Sequence, residues 1–287
     1  MTVSVAMCTY NGEKYVEEQL LSIVNQTRKP DQIVICDDCS TDNTIEIVEG
    51  ILYNQDIQYI VEKNTGNLGF IKNFEKCSLL CSGEILFWSD QDDVWFPQKI
   101  EKMLVPFEHD PGCVYVYSDA VIADDCLHVI DESFLDKWHY SDDLFEREIT
   151  FGRYPYGCML ALRTDFLKQI IPFTVAHDFA AARGAKQCGG TIARIQEPLM
   201  YYRRHEAALT YAFNNKNHRK KTIMKKARRL VNDLRKYTRV QWFDSPEWTL
   251  DNLNAVAQEN NRLTDERNED LKRQCDFAEL LCDGIKN

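Results

Sequence analysis

Residues 83–100, Gly83-Glu84-Ile85-Leu86-Phe87-Trp88-Ser89-Asp90-Gln91-Asp92-Asp93-Val94-Trp95-Phe96-Pro97-Gln98-Lys99-Ile100, decide how the rest of the chain is read. Ile85 to Ser89 suit a buried strand, which runs without a spacer into Asp90, Gln91, Asp92 and Asp93. Beyond Trp95, Pro97 stands where a helix opens, and Ile100, Leu104 and Phe107 recur at the spacing of its inner face. Three carboxylates within four residues repel one another at the end of a buried strand. That arrangement is costly unless a cation neutralises it, and hard oxygen ligands suit Mg²⁺ or Mn²⁺. In open α/β sheets the ligand crevice lies outside the carboxyl ends of the strands, where this cluster falls. Taken alone, the same residues also describe a solvated acidic turn in front of the Pro97 helix.

Working outward, the N-terminal side alternates strand and helix. Residues 2–8 form a short strand ending at Cys8-Thr9-Tyr10-Asn11-Gly12, and Asn11 is placed to cap a helix with Val16, Leu20, Ile23 and Val24 on one face. Gln32 to Cys36 is a buried strand followed by Asp37-Asp38-Cys39-Ser40-Thr41-Asp42 and a helix over 42–52. Residues 57–61 are a third strand, followed by Asn64-Thr65-Gly66-Asn67-Leu68-Gly69 and a helix showing Phe70, Phe74, Cys77 and Cys81. This order predicts an α/β fold with a mostly parallel sheet and helices on both faces. Right-handed crossovers then align the polar turns 8–12, 37–42, 64–69 and 90–93 along one rim.

Past residue 110 the rhythm changes. Val114 to Tyr117 reads as a strand, 119–150 as acidic and irregular, Gly157 to Leu162 as strand-like. His177-Asp178 begins a short helix through Ala182, and Ile192 to Ile195 and Leu199 to Tyr202 read as two strands. From 216 onward the pattern is helical, giving an expected division into 1–212, with halves 1–110 and 111–212, and a helical extension over 213–287.

Composition narrows the class. With 44% hydrophobic and 28% charged residues the 287-residue chain is an ordinary globular one, and no apolar run has the length of a membrane span. The start, Met1-Thr2-Val3-Ser4-Val5, lacks the basic and apolar regions of a signal peptide and reads directly as a strand. Eleven irregularly spaced cysteines, most inside apolar segments, are expected as reduced thiols of a cytoplasmic protein, and the Cys36/Cys39 pair has no zinc partner pair. The net charge of −11 is uneven: residues 216–239 carry eleven Lys or Arg and one acid, leaving about −21 elsewhere. An acidic body argues against nucleic acid as the main ligand. The basic segment has two readings, an amphipathic helix docked on that body or a peripheral contact with an anionic inner membrane face. The helices at 246–283 likewise either pack on the catalytic domain or pair with a second copy.

Six motifs in order carry a resemblance. They are Thr9-Tyr10-Asn11, Cys36 to Asp42, Asn67-Leu68-Gly69-Phe70, Asp90-Gln91-Asp92-Asp93 with Trp95 and Pro97, His177-Asp178, and Tyr202-Arg203-Arg204-His205. Together, over roughly residues 1–210, they resemble glycosyltransferase family 2, the inverting GT-A enzymes that use nucleotide-diphosphate sugars. The Asp-Gln-Asp-Asp form and the His-Asp pair are most similar to members building bacterial surface polysaccharides, rhamnosyltransferases among them.

The resemblance implies a role for each matched residue. Asp38 would accept the N3–H of a uracil or thymine with Tyr10 beside the base; capping of the following helix is its simpler role. Thr9, Asn67 and Gly69 would line the donor site. Asp90 and Asp92 would form the DxD, Asp92 being the direct ligand of Mn²⁺ or Mg²⁺, with His205 a third ligand or a structural histidine. Asp93 would touch donor sugar hydroxyls or cap the Pro97 helix. Asp178 would be the general base for the acceptor, a saccharide or lipid-linked saccharide; N-capping its own helix is the alternative. Phe179-Ala180-Ala181 departs from the bulkier aromatic residues of the family pattern and leaves the acceptor contacts open. A sugar-phosphate nucleotidyltransferase lacks support, because no glycine-rich loop follows the first strand. An inactive glycan-binding relative would have no need of Asp178.

Overall fold

The structure, a computed structural model, describes residues 1–137 and 155–206. The expected extension over 213–287, its basic segment and residues 138–150 of the acidic run 119–150 lie outside the described residues. Residues 1–205 belong to one compact unit.

The parallel half is built as the periodicity requires. Strands β1 (Val3–Thr9), β2 (Gln32–Asp37), β3 (Gln58–Lys63) and β4 (Ile85–Ser89) stand in the order β3-β2-β1-β4, all parallel. β2 and β4 are buried along their whole length, which is why they read as unbroken apolar runs. Helices α1 (Val16–Val24) and α2 (Thr44–Leu52) cross in one direction along the sheet, whereas α3 (Gly69–Leu79) returns past β1. Right-handed crossovers therefore put α1 and α2 on one face and α3 on the other. β1 to β4 end together, so the four polar turns share one rim.

Beyond β4 the sheet becomes mixed. The remaining order is β4-β8-β6-β9-β5, from β5 (Val94–Trp95), β6 (Cys113–Ala123), β8 (Leu160–Arg163) and β9 (Thr191–Arg203), with β7 (Val129–Asp131) beside β6. β8 is antiparallel to both β4 and β6, and β5 is antiparallel to β9, whereas β6 and β9 run parallel. Helices α4 (Lys99–His109), α5 (Phe134–Lys137), α6 (Thr164–Ile170) and α7 (His177–Gln187) complete the described part.

Several local expectations are corrected. Asn11 does not cap α1; its side chain accepts from the Thr41 amide at 2.9 Å, while the Gly12 carbonyl receives the Tyr15 and Val16 amides that open the helix. The strand expected to stop near Tyr117 continues to Ala123, because buried Asp119 is satisfied by Ser133 Oγ and by the amides of Ala120 and Leu135. The two strands expected near 192–202 are one, with Pro198 at a register shift opposite Asp119, where a missing N–H costs little. Gly157–Met159 is a 3₁₀ turn ahead of β8.

Candidate active site

The rim is knitted by side chain to backbone bonds between turns distant in sequence. Gln91 grips the main chain of Tyr10, accepting from its amide at 2.9 Å and donating to its carbonyl at 3.0 Å. A Cβ on Gly12 would stand 2.2 Å from Gln91 Oε1, so only glycine leaves room for that clamp. Asp38 is buried, and its carboxylate accepts from the amides of Leu68 and Gly69 at 2.7 and 2.8 Å and from Asn64 Nδ2 at 2.9 Å. Asn67 Nδ2 reaches the Asp38 carbonyl at 3.2 Å. Asp38 thereby shapes the third turn, with three of its roughly four acceptor positions engaged. Gly69 takes φ +75°, which an L side chain rarely adopts. Thr9 is buried and bonded to Asp37 at 2.8 Å, whereas Tyr10 is half exposed at the rim.

The acidic loop divides into two groups. In the first, Asp92 meets His205, with Nε2 2.8 Å from Oδ2, and His205 Nδ1 is buried without a partner. In the second, Asp90, Asp93 and Cys158 hold ligand atoms all within 4.8 Å of one another. Asp93, expected at donor hydroxyls or as a helix cap, is 1% exposed, accepts the Arg203 amide at 3.1 Å and leaves Oδ2 without a hydrogen bond. Burial pushes the Asp90 carboxyl up to about 7, helped by the charges of Asp92 and Asp178. Asp93 is raised well above the carboxylate range by burial and then by Asp92 and Asp90. Burial first, then Asp93 and Asp90, also raises the Cys158 thiol, so the sulfur stays protonated. Burial and mutual repulsion thus drive Asp90 and Asp93 to hold protons more firmly than ordinary carboxyls. A hard divalent cation would relieve that repulsion, and the orphaned Asp93 oxygen, the neighbouring carboxyls and His205 beside Asp92 fit one.

Asp178 lies in the first turn of α7 and its charge is felt by Asp90. Its Oδ1 accepts from the Phe179 amide at 2.8 Å, and burial raises it to about 6 in spite of backbone hydrogen bonds. The preceding His177 is buried with both ring nitrogens unpartnered, stacked 4.0 Å from Phe74 and edge-on 4.6 Å from Trp88. Burial lowers it to about 3, so it packs as a neutral aromatic ring. A Cβ on Gly157 would meet its Nε2 at 2.2 Å. His177 therefore anchors the start of α7 to β4 and α3.

Sequence reasoning missed Lys99, Cys158 and the roles of Tyr15 and Arg203. Lys99 is fully buried under the acidic loop, donating to the Cys158 carbonyl at 2.7 Å with its ammonium 4.8 Å above the Trp95 ring. Its only signal was a lysine one residue before Ile100 and four before Met103, on the inner stripe of α4.

Residues 4–170 match the family model described as Glycosyl transferase family 2. An uncharacterised glycosyltransferase of Nostoc sp. is 29% identical over 217 residues, 72% of this chain and 66% of that protein. A dTDP-rhamnosyl transferase of Shigella flexneri is 39% identical over 104 residues, 34% of this chain and 35% of its own length. The chain therefore spans about two thirds or less of these relatives. Among solved structures, S. aureus TarS 1-349 in complex with UDP-GlcNAc aligns with TM-score 0.57 at 22% identity, covering 72% of this chain and 60% of that one. A Pyrobaculum calidifontis mannosyltransferase in complex with GDP-Man and Mn²⁺ aligns with TM-score 0.56 at 17% identity, covering 79% and 64%. These likenesses show the shared fold. Because the matched span exceeds half the chain and takes in all four rim turns, the acidic loop among them, the chain belongs to glycosyltransferase family 2.

Proposed function

We propose that this glycosyltransferase moves a sugar, with inversion, from a UDP- or dTDP-sugar to a hydroxyl of a saccharide or lipid-linked saccharide in bacterial surface polysaccharide synthesis. The observation that carries the reading is the docking of α7 against β4: His177 lies edge-on 4.6 Å from Trp88, which brings the next residue, Asp178, toward the end of the strand that leads into Asp90, whose affinity for a proton it raises. One carboxylate is thereby available for the acceptor and a separate cluster for the donor diphosphate.

Asp178 takes the proton of the acceptor hydroxyl as its oxygen bonds to the anomeric carbon, from the face opposite the departing nucleoside diphosphate. The bond from that carbon to the diphosphate oxygen breaks in the same displacement, and the negative charge leaves on the diphosphate. A divalent cation, Mn²⁺ or Mg²⁺, held by Asp92, Asp90 and His205 would supply the neutralisation, worth several kcal/mol. Asp93, driven by burial to hold a proton, keeps an unpartnered oxygen beside Asp90 that such a cation would draw on. Tyr10, half exposed beside the Asp38 turn, offers its ring to the base, while Asp38, Asn67 and Gly69 fix the shape of that pocket. The dTDP-sugar in the name of the Shigella relative supports a pyrimidine donor.

A panel of nucleotide sugars with Mn²⁺, assayed for hydrolysis and transfer and paired with calorimetry, tests this. Asp178→Asn is expected to bind UDP or dTDP as the wild type does and to lose transfer by roughly 10²–10⁴-fold. Wild-type protein that binds no such nucleotide, or an Asp178→Asn variant of undiminished rate, refutes the proposal.

A further inference from the structure

Arg203 closes β9 and is 5% exposed, with its guanidinium committed on every side. Nε donates to the Asp92 carbonyl at 2.8 Å and Nη1 to the Asp125 carbonyl at 2.8 Å, while Nη2 is bonded to the Glu18 carboxylate. Its own amide donates to Asp93 Oδ1 at 3.1 Å. The guanidinium carbon lies 5.0 Å from the centre of the Tyr15 ring, and that ring lies 4.4 Å from the imidazole of His205. The Tyr15 hydroxyl is bonded to Asp125, which also takes Lys14 at 2.6 Å.

One side chain therefore holds both members of the Asp92–His205 pair without touching either functional group. It grips Asp92 through the main chain, and as the last residue of β9 it fixes the point from which His205 leaves, two residues on. Tyr15, pinned between Asp125, Arg203 and His205, restricts the imidazole from behind. We infer that Arg203 is a positioning residue that sets the spacing of Asp92 and His205, with Glu18 and Asp125 as its anchors on α1 and on the turn before β7. This rests on the reading of Asp92 and His205 as cation ligands. A lysine cannot replace the fork, because one ammonium cannot reach carbonyls and a carboxylate lying in different directions. Groups behind a metal site typically change its affinity by roughly 10–100-fold when altered.

The test uses the full chain with Arg203→Lys and Glu18→Gln, each read in two ways. Mn²⁺ affinity is measured from the free-ion EPR signal, and the ring nitrogens of His205 are followed by NMR in metal-free protein. The expected result is Mn²⁺ binding weakened about 10-fold or more in Arg203→Lys and less in Glu18→Gln. In the metal-free spectra the single His205 ring state of the wild type gives way to averaged signals. Should Arg203→Lys fail to fold, Glu18→Gln, whose change lies at an exposed carboxylate, carries both readouts. Unchanged Mn²⁺ affinity together with an unchanged His205 ring in the folded variants overturns the inference. If instead His205→Ala and Asp92→Asn bind Mn²⁺ as tightly as wild type, the ligand reading has failed, and the His205 spectra alone decide whether Arg203 acts as stated.

Discussion

At the scale of single residues the decisive group is Asp178, the proposed general base. A base raised to about 6 is still mostly ionised near neutrality, and it holds a proton more firmly than an ordinary carboxylate. The sign follows directly, since transfer needs the deprotonated form. kcat/KM is expected to fall about tenfold per unit as the pH drops below about 6, with a plateau above it. A rate profile measured with Mn²⁺ saturating throughout checks this. A limb centred near the ordinary aspartate value would mean that Asp178 is not buried as described or is not the base. His177, one residue earlier, contributes no proton in this range; a ring held near 3 stays neutral and serves by its shape.

At the scale of elements, the rim depends on a turn that only glycine accommodates cheaply. Open space surrounds the Cβ position of Gly69, so Gly69→Ala is disfavoured by φ +75° alone, at roughly 1–2 kcal/mol. Gly66, equally open and without positive φ, supplies the control. Urea denaturation is expected to show the loss for Gly69→Ala and a change near zero or slightly favourable for Gly66→Ala. Equal effects would remove the conformational argument. The four turns were legible in the sequence because each follows a strand whose apolar run ends abruptly, and right-handed crossovers leave them one edge to share. What joins them was not. Gln91 reaches Tyr10 across 81 residues, and Arg203 reaches Glu18 across 185. No local pattern encodes such pairs. Asn11 was misread for the same reason: a side chain suited to a cap found a better donor 30 residues away in Thr41.

At the scale of the whole molecule, the proposed cation site in the crowded acidic loop would couple cation binding to stability. A ligand present at a hundredfold excess over its Kd stabilises the folded state by about 2.7 kcal/mol, and each kcal/mol raises Tm by roughly 2–4 °C at this size. Mn²⁺ is expected to raise the Tm of the wild type by roughly 5–10 °C and to leave Asp92→Asn nearly unmoved, in thermal melts with and without a chelator. The α/β class and the parallel half could be read in advance, since strand and helix alternate there with short loops. The reversal at β8 could not, because three apolar residues and an arginine carry no direction. That reversal has a corollary for what can be exchanged between relatives. The stretches before and after residue 110 are joined by Ile85–Phe87 against Ala161–Arg163, by Val94–Trp95 against Met200–Tyr201, and by Arg203 on Glu18. The loop that carries Asp92 is completed by Arg203 and His205, 111 and 113 residues later, so a swap of everything beyond β4 would carry part of that loop's support away with it.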